Sequence, residues 1–174
     1  MADILEIKDG VLHRCNDKTA TSVTLPDGVT KIGEGAFLYC TSLVSVVIPD
    51  SVTQIGVGAF RACTSLSSVV IPNSVTKIGD EAFMECTSLG SVGILGSVKK
   101  IGEEAFFGCK TLASVKIPNS VKKICNDAFV ACTSLSSVEF GGTVAQWKAV
   151  EKGNNWNGGV SAKCVKCTDG EAEL

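Results

Sequence analysis

Apolar positions in this chain recur at a fixed step of 23 residues. Phe37, Phe60, Phe83, Phe106 and Phe129 form one series, and Cys40, Cys63, Cys86, Cys109 and Cys132 a second. Leu43, Leu66, Leu89, Leu112 and Leu135 form a third, and Ile32, Ile55, Ile78, Ile101 and Ile124 a fourth. No residue is inserted or deleted between Pro26 and Phe140. A constant period of this size predicts a solenoid, in which each repeat is one coil that buries its apolar side only by stacking on its neighbours.

Each coil divides into short elements. The predicted order is a turn with Pro at its second position (Pro26, Pro49, Pro72, Pro118), then an extended Val-x-x-Ile, then a glycine. Gly33, Gly56, Gly79 and Gly102 are expected to take positive φ there. Leu95-Gly96 replaces the Pro-Asp/Asn pair in the fourth coil, which predicts a looser turn, and Cys125 replaces the glycine in the fifth. Ala-Phe-x-x-Cys reads as one helical turn with Ala36, Phe37 and Cys40 on one face. The main strand Leu-x-Ser-Val-x-Ile alternates, so Leu43, Val46 and Ile48 face the core while Ser45 and Val47 face out. Val52, Ile55, Ala59, Phe60, Cys63, Leu66, Val69 and Ile71 are the expected core of the second coil.

The ends depart from the period. Residues 1–18 read as an N-terminal cap with a hairpin turn at Asp9-Gly10. Residues 19–140 read as the solenoid, a half coil and five full coils, and 141–174 as a C-terminal cap. In that cap Thr143 and Gln146 match a capping box, opening a helix from Val144 to about Lys152. Trp147 falls on the Ile124 register and is expected to close the last coil. Residues 160–167 alternate as a terminal strand, and 168–174 are expected to fray.

Composition narrows the function classes. The chain is 45% apolar with a formal net charge of −2, so no strong field selects nucleic acid. No apolar run reaches the roughly 18 residues of a membrane span. Nine cysteines would suggest disulfides, but five are one repeat position, with side chains expected to point the same way. The ladder therefore reads as small buried thiols. There is no Asn-x-Ser/Thr sequon, and residues 1–10 lack the basic-then-apolar pattern of an export signal.

The unit Cys-Thr-Ser-Leu-x-Ser-Val-x-Ile-Pro-x-Ser-Val-Thr-x-Ile-Gly-x-x-Ala-Phe resembles the BspA-like, Treponema-type leucine-rich repeat. The Gly-Gly-Thr-Val-Ala-Gln-Trp helix and the Val-x-x-Cys-Thr-Asp-Gly tail resemble that family's end segment. The resemblance spans about residues 19–170. It implies an α/β, right-handed leucine-rich repeat solenoid, mostly parallel β with short helical turns. It also implies a non-enzymatic, adhesin-like binding role towards host or matrix proteins. By that resemblance the location is the cell surface or outside, if an export signal precedes this sequence. A native start at Met1 would instead suit a cytoplasmic scaffold or self-assembling protein.

Candidate chemistry is sparse. Gly33-Glu-Gly35 and Gly56-Val-Gly58 lack the third glycine and the long helix of a dinucleotide loop, so no cofactor is expected. Cys164-Val-Lys-Cys167 has metal-type spacing, but a structural zinc needs four ligands and the one histidine, His13, lies in the opposite cap. An alternating strand with one thiol inward is the simpler reading, and a bridge or a bound metal stays open. A lysine stripe (Lys31, Lys77, Lys99, Lys100, Lys122, Lys123) beside acids at Asp80-Glu81 and Glu103-Glu104 reads as a solvated face. The surface signal is the outward face of the main strands, where Val47 and Val70 adjoin beside a serine row that includes Ser68 and Ser91. Lys116 and Glu139 continue the valine row. These six residues are the candidate contacts for a protein partner.

Overall fold

The computed structural model describes residues 4–174; Met1, Ala2 and Asp3, which fall in the predicted N-terminal cap, lie outside the described residues. The coils stack as expected and build two eight-stranded sheets. The long-strand sheet runs through Ser22–Thr24, Ser45–Val47, Ser68–Ile71, Ser91–Ile94, Ser114–Ile117, Ser137–Phe140 and Cys164–Cys167, all parallel, and ends in the antiparallel strand Gly170–Glu173. The short-strand sheet begins with the antiparallel hairpin Leu5–Lys8 and Val11–Cys15. It continues in parallel through Lys31–Ile32, Gln54–Ile55, Lys77–Ile78, Lys100–Ile101 and Lys123–Ile124 to Glu151–Lys152. Asp9 and Gly10 both take positive φ (51° and 74°), as a two-residue hairpin turn requires.

The core is one continuous column. All eight apolar side chains expected inside the second coil are buried. The phenylalanine ladder stacks with centroids 4.8–5.3 Å apart and planes within 8°. Burial at about 25 cal/mol per Å² is the dominant stabilising term, and offset ring pairs add about 0.5–1.5 kcal/mol each.

The third side of each coil is not helical. The Leu38 and Cys40 amides close i→i+3 turns on the Gly35 and Phe37 carbonyls (2.9 and 3.0 Å). The Phe37 and Tyr39 amides instead cross to Ala59 and Arg61 of the next coil (2.7 and 3.0 Å). Positive φ at Gly35 and Tyr39, and at their equivalents up to Asp127 and Ala131, interrupts any helix and frees alternate amides for the neighbour. Gly33, Gly56, Gly79 and Gly102 correspondingly lack the expected positive φ. Their role is clearance: a Cβ on Gly79 would sit 2.5 Å from the Gly56 carbonyl carbon.

The turns differ in detail too. Pro26, Pro49, Pro72 and Pro118 are first, not second, in their turns, their carbonyls accepting from the valine three residues on. At Leu95-Gly96 the i→i+3 bond gives way to a Ser97 amide on Leu95, and Asn73 Oδ1 receives the Gly96 amide at 2.7 Å.

The C-terminal cap shows the largest departures. The helix spans only Val144–Lys148, with the capping box formed, and Glu151–Lys152 rejoins the sheet. Lys152, not Trp147, therefore pairs with Ile124. Trp156 takes the place below Phe129, edge-on at 6.2 Å, while Trp147 is buried against Phe140 and Trp156. The predicted terminal strand shrinks to Cys164–Cys167. The segment expected to fray instead forms the strand Gly170–Glu173, anchored by the Trp147 indole N–H on the Glu173 carbonyl at 3.3 Å.

Candidate protein-binding face

The outward side of the long-strand sheet is built by strict alternation. Val46 and Ile48 point inward, so Ser45 and Val47 point out, and in-register stacking lines up each position. Ser22, Ser45, Ser68, Ser91, Ser114 and Ser137 form one row, with Ser45 donating to or accepting from Ser22 at 3.0 Å. Beside it run Thr24, Val47, Val70, Gly93, Lys116 and Glu139, and the row continues to Lys166, which sequence reasoning missed because the terminal coil is not 23 residues long.

Val47 and Val70 are 56% and 59% exposed, on adjacent rungs. Gly93 beyond them carries no side chain, and a Cβ there would touch the Val70 methyls at 3.7–3.8 Å. Its absence leaves one flank of Val70 bare and makes a step about one methyl deep. Val44, just before Ser45–Val47, and Leu95, just after Ser91–Ile94, are also exposed. Lys116 and Glu139 lie in register but two and three rungs from Val70, roughly 10 and 15 Å away. With Lys166 they border a groove of about 280 Å³ closed by Phe140, Gly141, Cys167 and Thr168. All six expected contact residues thus share one face, the valines and serines together and the charges at its far end.

The other expected clusters lie elsewhere. Lys31, Gln54, Lys77, Lys100 and Lys123 stack on the short-strand sheet and end at Glu151. Lys123 pairs with Glu151, and Lys100 approaches Asp80 at 3.8 Å. Burial, together with neighbouring Glu81, Asp127 and Glu103, raises the Glu104 carboxyl above its usual range. The ladder cysteines are buried thiols as expected, and four of the five also act as donors: Cys63, Cys86, Cys109 and Cys132 reach carbonyls of the preceding coil at 3.1–3.2 Å. Cys164 and Cys167 are half-buried free thiols; Cys167 packs on the core, and a hydrogen bond with Glu171 raises Cys164. Among the described residues no three His, Cys, Asp or Glu side chains converge as a metal site would require.

This two-sheeted, 23-residue solenoid is a leucine-rich repeat architecture, and the comparisons agree. A family profile described as BspA type leucine rich repeat region matches residues 6–136 in six copies, and the chain belongs to that family. It is similar to the crystal structure of the T. pallidum leucine rich repeat protein TpLRR, with 28% identity and a TM-score of 0.73, over 92% of this chain and 88% of that one. A leucine-rich repeat protein from Bacteroides ovatus is 27% identical with a TM-score of 0.61, over 88% of this chain and 45% of that one. For one from Eubacterium ventriosum the fold alone is alike, at 24% identity and a TM-score of 0.70, over 91% and 45%. The chain thus spans less than half the length of the latter two. No curated protein matches.

Proposed function

We propose that this chain is a non-catalytic protein-binding module that docks its partner on the outward face of the long-strand sheet. The observation that carries the reading is the adjacent, more than half-exposed pair Val47 and Val70, bordered on one side by the hydroxyl row that includes Ser68 and Ser91. An apolar centre with a polar border is the anatomy of a modest protein interface. Lys116 and Glu139 fix orientation from the rim. Membership of a repeat family built for interaction supports the module class. An adhesin-like role, with a host or matrix protein as partner, follows from the family resemblance.

The test is capture of partners from host extracellular matrix and from the cell's own lysate, followed by affinity measurement with Val47→Glu/Val70→Glu. Both side chains point away from the core, so the fold is retained and affinity drops tenfold or more, about 1.4 kcal/mol. Wild-type affinity in the double variant would move the site to the lysine and acidic rows or to the caps.

A further inference from the structure

The two ends of the solenoid are stepped, and the steps are complementary. At the N-terminal end the coil formed by Val11–Cys15 and Ser22–Thr24 is followed outward by Leu5–Lys8, which extends only the short-strand sheet. At the C-terminal end the coil formed by Glu151–Lys152 and Cys164–Cys167 is followed by Gly170–Glu173, which extends only the long-strand sheet. Each cap is half a coil, in opposite sheets. Among the described residues, the place beside Ser22–Thr24 at one end and beside Glu151–Lys152 at the other holds no strand.

We infer that copies of this chain join end to end through this lap joint, the Gly170–Glu173 strand of one copy pairing with Ser22–Thr24 of the next and Leu5–Lys8 pairing with Glu151–Lys152. The reading is independent of the sheet-face proposal.

Three observations carry it. The first is backbone pairing. The Thr21 carbonyl and the Leu25 amide bond to the neighbouring strand at Val44, Ser45 and Val47, so the alternate groups of Ser22 and Thr24 face the open side. The second is edge chemistry. Leu5–Lys8 carries Glu6 and Lys8, Gly170–Glu173 carries two glutamates, and Glu151–Lys152 is charged throughout, whereas Ser22–Thr24 holds no charge and no proline. Uncompensated charges and prolines discourage edge pairing; Ser22–Thr24 has neither, and on the other pair of edges Lys8 meets the opposite charge of Glu151. The hydroxyls of Ser22 and Thr24 can instead donate to the Glu171 and Glu173 carboxylates.

The third is the core side of the joint. Ile7 pairs with Leu12 and Leu5 with Cys15, so both point towards the core, yet Ile7 stays 38% exposed because no further coil covers it. Opposite, at the other end, a cavity of about 520 Å³ is lined by Val144, Trp147, Trp156, Ala172 and Leu174, with Lys148, Lys152, Glu171 and Glu173 as its charged part. In the joint the isoleucine side of one copy enters this cavity of the next, towards its apolar residues Val144, Ala172 and Leu174, and Lys8 comes alongside Glu151. Because the two surfaces differ, the contact is head-to-tail and does not close on itself at two copies.

Sedimentation velocity of the 174-residue chain, from low micromolar to near-millimolar, tests this. The expected result is a weight-average mass that rises with concentration past the dimer. Thr24→Pro removes one outward amide while sparing the bonds to the next strand, and proline is tolerated on an edge. Ile7→Lys places charge on the joint. Each should weaken association tenfold or more, while Val47→Glu/Val70→Glu leaves it unchanged. Thr24→Pro keeps its C-terminal step, so added in small proportion it should end chains and shorten wild-type oligomers. If Thr24→Pro does not fold, Ile7→Lys decides alone. A monomer at every concentration, a ceiling at the dimer, or a folded variant that associates like wild type would overturn the joint.

Discussion

The Cys63 thiol donates to the Phe37 carbonyl oxygen at 3.2 Å, across one rung, and the same oxygen accepts the Cys40 amide at 3.0 Å. The bond recurs from Cys86 to Phe60, Cys109 to Phe83 and Cys132 to Phe106. Each ladder cysteine from Cys63 onward therefore ties its coil to the one before it by a buried polar contact as well as by packing. Replacing Cys86 with valine keeps an apolar side chain and removes the donor. The expected cost is about 0.5–1.5 kcal/mol in urea unfolding, the net worth of one hydrogen bond. A neutral Cys86→Val would show that the thiol acts only as a hydrophobe.

Truncation of a central ring should cost more. Phe83 is fully buried between Phe60 and Phe106, with centroids at 5.1 and 5.3 Å. Phe83→Ala removes both ring contacts and leaves a cavity that neighbouring rungs, fixed by their own strand pairing, cannot fill. The expected loss is about 3–5 kcal/mol. An unfolding midpoint equal to wild type would contradict the stacked ladder.

The thiol column makes stability fall in alkali. Burial pushes Cys86 from 9.0 up to about 12, and burial with the adjacent Cys40 raises Cys15 to about 11. Cys63 rises mainly by burial, and Cys109 through its hydrogen bond with Cys132 and then burial. Folded thiols hold their protons to higher pH than unfolded ones, so this stability is complete below pH 9.0. Above it the unfolded chain binds fewer protons and stability declines, by about 1.4 kcal/mol per pH unit for each such thiol. Denaturant titrations at pH 8, 9 and 10 should show the fall beginning at about pH 9, and native-state alkylation of the ladder should be slow. A flat profile from pH 8 to 10 would refute this.

Several non-glycine residues hold left-handed backbone on the turn side, among them Glu85 (φ 59°) and Ala131 (φ 58°), where Gly108 fills the equivalent place between them. That conformation costs an L-residue about 1–2 kcal/mol, partly offset by the greater unfolded-state entropy of glycine. Glu85→Gly and Ala131→Gly should each raise stability by about 0.5–1 kcal/mol, read as an upward shift in melting temperature. Destabilisation by both would mean their side chains contribute more than the strain costs.

The 23-residue step determined the coil, the buried column and the outward row, because in a solenoid each position meets its own equivalent and periodicity in sequence is periodicity in space; the N-terminal hairpin was legible separately, from Asp9-Gly10. Val47 and Val70 could be placed on the sheet face from alternation alone. Where close backbone approach or a contact between unlike residues decides, the sequence was silent. Gly79 is required by the approach of the Gly56 backbone, and alternate amides near Phe37 are drawn off by the next coil, so a local pattern that reads as a helical turn becomes two turns and a ladder. In the last coil extra residues shift the register, and Trp156, not Trp147, meets Phe129. The strand Gly170–Glu173 exists because Cys164–Cys167 offers it an edge and Trp147 holds its Glu173 carbonyl. Local propensity carries neither partner, and only the assembled end of the stack supplies both.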